Sequence, residues 1–166
     1  MQKEETRNNS VFFNILGNSL DLDEVILNVK NFVQLSPKRN YKIIVGTDSA
    51  ARSEVDFITA ITVWRMGNGA IHFWTRSEKT KCASLRDRIY KETIHSITLA
   101  QELRGLLKEK LGDEFFWDDQ IHIDVGENGP TKDFIDSVVG MVKGFGFEAV
   151  IKPFSFGASC VADKHT

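Results

Sequence analysis

The spacing of apolar residues changes several times along the chain, and each change predicts a new element. Residues 1–10 are polar and are expected to fray. Asp21 and Glu24 form the pattern of a helix capping box, and the apolar residues behind them recur every three or four positions. We therefore predict a first helix, which ends before Pro37.

Three strands are predicted next, because β-branched and aromatic residues dominate three successive segments. The Gly-Asn-Gly at 67–69 is a hairpin signal between the second and the third of them. Short links between consecutive strands favour antiparallel pairing. The three segments are residues 41–47, 55–66 and 70–76.

Helical and strand patterns alternate in the second half of the chain. From Ser84 to Leu111 the apolar residues keep a helical spacing, and Gly112 ends this long amphipathic helix. Two further strands are predicted at 120–126 and 147–153, with a helix between them that starts behind Pro130. The last residues, 155–166, predict a short helix.

Strands separated by helices pair in parallel through right-handed crossovers. The predicted fold is therefore α/β: a mixed five-stranded sheet with three antiparallel and two parallel strands, helices on both faces and an extra N-terminal helix. We divide the chain into an N-terminal helical extension at 1–40, packed on one domain at 41–166.

Composition narrows the class of protein. The chain has 166 residues, 42% apolar and 27% charged, which is typical of one globular domain. A net charge of −2 excludes a polycation that gathers nucleic acid by its average field, but not a local basic face. Cys82 and Cys160 lack metal-site or disulfide spacing and are interpreted as reduced thiols. No apolar window approaches the ~18 residues of a membrane span, so we expect a cytoplasmic protein.

Four carboxylates interrupt apolar patterns. Asp48 lies at the end of the first strand and Asp124 at the end of the fourth, and the carboxyl ends of these strands share one edge of the sheet if the strands are parallel neighbours. Glu92 falls on the buried side of the long helix, and Asp163 lies near the chain end. A turn role for Asp48 and pairing of Glu92 with an arginine one turn earlier are the simpler alternatives. Clustered carboxylates without His or Cys favour Mg²⁺ or Mn²⁺.

The element order from about residue 40 onward resembles the ribonuclease H-like fold. Nucleases of that family carry an acid in the first strand, a Glu on the first long helix, an acid at the end of the fourth strand and an acid on the last helix. Asp48, Glu92, Asp124 and Asp163 match in type and order. More narrowly, the motifs "GTDS", "HIDVG", "GPTKDF" and "IKPFSFGASCVADKHT" resemble an uncharacterised bacterial branch of predicted ribonuclease H-like nucleases. Ala50 and Phe154 depart from that branch, where Gln and an acid are usual.

This resemblance implies metal-dependent hydrolysis of phosphodiester bonds in RNA, DNA or a hybrid. Two divalent ions ~4 Å apart, Mg²⁺ or Mn²⁺, would activate the attacking water and stabilise the leaving oxygen. Asp48 is the expected bridging ligand, with Glu92 and Asp124 completing one ion site and Asp163 the other. An alternative is a nucleic-acid-binding module without turnover. Nucleotide phosphoryl transfer is disfavoured, because relatives with that activity use two such domains.

Other residues are weaker candidates. Ser49, Lys132, Lys152 and Lys164 are candidates for substrate binding, although each lysine is also explained as a solvated surface residue. His122 alternates with apolar neighbours and is not expected to be a ligand. Aromatic residues of the hairpin can stack bases, but core packing is the simpler explanation for them. They are Trp64, Phe73 and Trp74.

Overall fold

A seven-stranded mixed sheet forms the centre of the structure, a computed structural model that describes residues 9–166. The expected fraying of residues 1–10 falls almost wholly outside that range. In chain order the strands are β1 (Phe12–Asn14), β2 (Ser19–Leu20), β3 (Tyr41–Ser49), β4 (Glu54–Val55), β5 (Phe57–Arg65), β6 (Ala70–Arg76), β7 (Thr80–Lys81), β8 (Asp118–His122) and β9 (Glu148–Val150).

Three α-helices and three short helical segments connect and cover these strands. The α-helices are α1 (Leu22–Gln34), α2 (Leu85–Leu111) and α3 (Ile135–Gly144). A 3₁₀ turn, Lys132–Phe134, precedes α3. The chain then ends in a π-helical segment, Gly157–Ala162, followed by a second 3₁₀ turn, Asp163–His165. We call residues 155–165 the C-terminal segment.

The strand order across the sheet is β2-β1-β6-β5-β3-β8-β9. β3 pairs antiparallel with β5 and parallel with β8, and β8 pairs parallel with β9. The five predicted strands correspond to β3, β5, β6, β8 and β9, so the mixed α/β sheet is confirmed. β3 lies between its antiparallel and its parallel partner, which puts its carboxyl end near the middle of the sheet edge.

The N-terminal region adds a hairpin that the apolar spacing did not predict. β1 pairs with β2 and also with β6, so the sheet extends beyond the five predicted strands. A separate two-stranded ribbon joins β4 to β7. These strands have two or three residues each and are too short to show an alternating pattern.

The first helix forms as predicted, and its capping box supplies the reason. Oδ1 of Asp21 accepts a hydrogen bond from the Glu24 amide, while Oε2 of Glu24 accepts one from the Asp21 amide, each at 2.8 Å. Both bonds satisfy amide groups that a helix start leaves unpaired. α1 thus begins at a defined residue and turns its apolar side to the core.

The two faces of the sheet are covered unequally. Side chains from α1, α2 and α3 pack with the inward-facing residues of the central strands into one large apolar core. On the opposite face the C-terminal segment packs across the sheet, where Ala162 contacts Ile58 and Ala60. Helical structure therefore lies on both faces, as predicted, but the second face has only a short segment as cover. No helix in the described range is long and apolar enough to cross a membrane.

Candidate active site

Asp48 is the last but one residue of β3. Because side chains alternate along a strand, it faces the sheet side opposite to Thr47 and Ser49. Its cross-strand partner is Ile58, which packs against Ala162 next to Asp163. Burial, a hydrogen bond with the Asp163 side chain and the charges of Asp163 and Asp124 raise the pKa of Asp48 to about 7. Among the described residues, none of the groups with the largest effects on the pKa of Asp48 is a cation.

Glu92 lies on the buried face of α2, as its position in the helical pattern predicts, with 7% of its surface exposed. The Ser49 hydroxyl donates a hydrogen bond to its Oε1 at 2.6 Å, and Nε of Arg88 lies 4.0 Å from the same oxygen. Burial, together with the charges of Asp48 and Asp124, raises the pKa of Glu92 to about 8, although the Ser49 hydrogen bond and the charge of Arg88 oppose the shift. The arginine one turn earlier is thus a partner, but not one that overcomes burial.

Asp124 lies two residues beyond β8, whereas the sequence placed it within the end of the fourth strand, at 120–126. Backbone pairing continues irregularly there: the Ile123 amide donates to Val150 and the Lys152 amide to Val125, each at 2.9 Å. The Lys152 ammonium consequently lies 3.0 Å from Oδ1 of Asp124 and forms an ion pair with it. That oxygen is buried and accepts no hydrogen bond from the described part of the chain.

Asp163 begins the last 3₁₀ turn and is exposed to solvent. It reaches Asp48 because the C-terminal segment crosses the sheet face that Asp48 shares. Beyond it, the His165 ring stacks on Trp74 with centroids 4.4 Å apart. The end of the chain therefore lies on the face of the sheet that the three α-helices leave free.

Electrostatic interactions link the four predicted acids near the carboxyl end of β3. Asp48 is influenced by Asp163 and Asp124, and Glu92 is influenced by Asp48 and Asp124. Their approach comes from both sides of the sheet edge, since Glu92 is bound to Ser49 on the helical face and Asp48 faces away from it. Among residues 9–166, no group of three or more His, Cys, Asp or Glu side chains is arranged to hold a metal ion.

The weaker candidates occupy varied surroundings. Ser49 is buried and its hydroxyl is engaged with Glu92, so its contact in this structure is with a neighbouring acid. Lys152 pairs with Asp124, as described above. Lys132 is exposed at the first residue of the 3₁₀ turn before α3. Burial lowers the pKa of His72 and of His165, and the charge of Lys164 lowers both further.

His122 is the residue whose surroundings the sequence did not predict. It is 2% exposed and lies under the C-terminal segment, where its Nδ1 accepts a hydrogen bond from the Gly157 amide at 2.9 Å. Burial lowers its pKa to about 4, so the imidazole is neutral near neutral pH. The alternation of His122 with two isoleucines placed it on one face of β8, but its partner is a backbone group 35 residues away.

The hairpin aromatics divide between core and surface. Phe73 is 3% exposed and belongs to the main core, as the simpler explanation predicted. Trp64 and Trp74 lie partly exposed on the other face. Trp74 stacks on Phe13 as well as on His165, with ring centroids 4.7 and 4.4 Å apart. Trp74 therefore already has ring partners within the chain.

Comparisons with known proteins identify the family of the chain. The chain is 31% identical to the "Uncharacterized protein YkuK" of Bacillus subtilis (strain 168), over 94% of this chain and 96% of that protein. No solved structure matches the chain significantly. A model of the family described as ribonuclease H-like matches residues 24–166, a range that includes all four acids. The chain belongs to the ribonuclease H-like family.

Proposed function

We propose that the protein is a metal-dependent nuclease that hydrolyses phosphodiester bonds of RNA, DNA or a hybrid. The observation that carries the proposal is the surroundings of Asp48, whose pKa is raised by burial and by two other acids that distant parts of the chain bring to it. Like charges gathered in this way are tolerated by a fold when a cation neutralises them during function. The match to the ribonuclease H-like family supports the same reaction class.

The donor set fits Mg²⁺ or Mn²⁺. All four side chains offer carboxylate oxygens, the ligands that these hard ions prefer. Oδ1 of Asp124 is buried and forms an ion pair with the Lys152 ammonium at 3.0 Å, but it accepts no well-aligned hydrogen bond from residues 9–166. No three acids of residues 9–166 are arranged around one point, and the Lys152 ammonium occupies an oxygen of Asp124; we therefore infer that Asp124 exchanges Lys152 for the metal when an ion binds.

Asp48, Glu92, Asp124 and Asp163 are the proposed metal ligands and catalytic residues. When bound, the ions supply an activated water and stabilise the charge that develops on the leaving oxygen. Asp48 orients the site from the centre of the sheet edge, and Ser49 holds the Glu92 carboxyl in place. Lys152, released from Asp124, becomes available to a substrate phosphate, for which Lys132 and Lys164 are further candidates.

A cleavage assay with labelled RNA, DNA and hybrid duplexes in Mg²⁺ and in Mn²⁺ tests the proposal. We expect at least one substrate to be cut, and Asp48→Asn to reduce the rate by about 10³-fold or more with the fold intact, since it removes a ligand from the metal site. Lys143→Ala, on α3, is purified in the same way and is the control for contaminating nucleases, because it changes a charge without contacting the acids. Equal activity in the wild type and in Asp48→Asn would contradict the proposal.

A second candidate is a nucleic-acid-binding module with little or no turnover. The Lys152–Asp124 ion pair favours it, because the lysine occupies an oxygen that a catalytic ion needs. Binding of a labelled strand that is independent of divalent ions, together with no cleavage of any substrate, would support this function. The nuclease proposal predicts binding that strengthens when Mg²⁺ is added. In either case nucleic acid is the proposed partner, and the two free cysteines, Cys82 and Cys160, favour a cytoplasmic location.

A further inference from the structure

The C-terminal segment is seated on the sheet by a close approach of two glycines. A Cβ atom added to Gly46, in the middle of β3, would lie 2.5 Å from the carbonyl carbon of Gly157 and 2.6 Å from the Ala158 nitrogen. A Cβ atom added to Gly157 would lie 2.7 Å from Cγ2 of Ile44. Backbone therefore packs directly on backbone, and neither position has space for a side chain.

A buried histidine fixes the same point by a hydrogen bond. Nδ1 of His122 accepts the Gly157 amide, so the other ring nitrogen carries the proton and donates to Oε1 of Gln120 at 3.1 Å. Nε2 of Gln120 in turn donates to Oε2 of Glu148 at 3.0 Å. The chain of bonds from Glu148 to Gly157 holds the imidazole in one orientation and one tautomer.

The contact of Gly157 with Gly46 and His122 lies six residues before Asp163 in the C-terminal segment. From Gly157 the segment runs over Ala60 and Ile58 to Ala162, and the next residue is Asp163 beside Asp48. Because the stretch between them is short and helical, a displacement of Gly157 also displaces the Asp163 carboxylate. Asp163 is itself exposed, so its own burial does little to hold it in place.

We propose that His122 is a positioning residue: it docks the C-terminal segment through the Gly157 amide and so sets the position of Asp163 against Asp48. Its importance for catalysis rests on the proposed nuclease function, whereas the docking itself does not. His122 touches neither substrate nor ion in this role, and its work is done through the backbone of the segment.

Two substitutions at His122 separate this role from simple core packing. The Asn side chain places an acceptor oxygen near the position of Nδ1, whereas Gln places its polar group near the position of Nε2. Hydrogen exchange of the amides at 157–165 is the readout, with the amides of β5 as an internal reference. We expect His122→Gln to speed exchange in the segment about tenfold while β5 stays protected, and His122→Asn to restore most of the protection.

Gly46→Ala tests the close contact between β3 and the C-terminal segment without altering His122. Its added Cβ displaces the segment, so we expect fast exchange at 157–165 and a changed Trp74 fluorescence, because the stacking of His165 on Trp74 is lost. Gly105→Ala is the matched control, since a Cβ atom there has no neighbour within 4 Å. Slow exchange of the segment in both His122→Gln and Gly46→Ala would overturn the proposal, and so would equal exchange in the Gln and Asn variants.

The exchange and fluorescence results stand even if no cleavage is found, so failure of the docking and failure of the nuclease function are distinguishable. If the wild type cleaves nucleic acid, we expect His122→Gln to lower kcat and to raise the Mg²⁺ concentration needed, with little change in KM. His122→Asn should recover both parameters. A loss of activity in His122→Gln with a segment that stays protected would also contradict a positioning role.

Discussion

The hydroxyl of Ser49 donates a hydrogen bond of 2.6 Å to Oε1 of Glu92 and thereby joins the last residue of β3 to the buried face of the long helix α2. Ser49 follows Asp48 directly, so one strand end contributes an acid to one side of the sheet and a donor to the acid on the other side. The Ser49–Glu92 hydrogen bond therefore connects Glu92, on the helical face of the sheet, to the strand end that carries Asp48 on the opposite face.

Removal of that donor should raise the pKa of Glu92 further. In Ser49→Ala the hydrogen bond that stabilises the ionised form is gone, while burial and the charges of Asp48 and Asp124 remain. A carbon-13 NMR titration of the Glu92 carboxyl measures the shift. Thr59→Val is the control, because the buried hydroxyl of Thr59 bonds to Thr47 and not to Glu92. An unchanged or lower pKa in Ser49→Ala would contradict the assigned donor.

The stability of the metal-free protein should fall as pH rises from about 6.5 to about 8. The pKa values of Asp48 and Glu92 are about 7 and about 8, above their ordinary values of 3.8 and 4.5, so in that window these two carboxyls hold protons in the folded state that they have lost in the unfolded state, and deprotonation costs stability. Below about pH 6.5 the lowered pKa of His122 acts in the opposite direction, because the folded state there keeps an imidazole neutral that the unfolded state protonates. Chemical denaturation at a series of pH values in a chelating buffer measures the slope.

Glu92→Gln should flatten that slope, because the amide cannot ionise and still accepts the Ser49 hydroxyl. At about pH 8 we expect the variant to be more stable than the wild type by on the order of 1–3 kcal/mol. Glu109→Gln, on the exposed side of the same helix, is the matched control and should leave the slope unchanged. A wild-type stability that rises with pH through this window would show that the two carboxyls are not destabilised in the folded state.

Elements with a long periodic pattern were predictable from the sequence. α2 runs from Leu85 to Leu111 between Ser84 and Gly112, as predicted, and Glu92 lies on its buried face. Strand β1 was not predicted, because its pairing with β6 joins residues about sixty positions apart through backbone hydrogen bonds. Such pairing leaves no periodic signal in three residues.

In the candidate site, too, some features were predictable from the sequence and others depend on contacts with the backbone. Element order predicted that Asp48 and Asp124 lie at one edge of the sheet, since β3 and β8 are parallel neighbours, while the metal-binding role of the four acids stays a prediction. The role of His122 was not predictable, because its partner is an amide of Gly157 and every non-proline residue has such an amide. The Lys152–Asp124 ion pair likewise depends on irregular backbone pairing beyond β8 and β9.

Divalent ions should stabilise the protein more at about pH 8 than at about pH 5, because the ligands must lose their protons before they bind. At saturating Mg²⁺ or Mn²⁺ we expect a rise in Tm of several degrees at the higher pH, from the linkage between binding and folding. Differential scanning calorimetry with and without the ion measures it. In Asp48→Asn the rise should disappear, and an equal rise in that variant would place the bound ion elsewhere.

Lys152→Ala should increase the affinity of the protein for Mg²⁺ several-fold, because the ammonium 3.0 Å from Asp124 competes with the ion for the same oxygen. The cost to metal-free stability should be below about 1 kcal/mol, since the ion pair is partly exposed. Isothermal titration calorimetry measures the affinity, with Lys132→Ala as the control because that lysine lies exposed at the start of a different turn. If Lys152 is also a phosphate contact, the same variant binds the ion more tightly yet cleaves with a higher KM. Equal Mg²⁺ affinity in Lys152→Ala and the wild type would mean that the lysine does not compete for Asp124.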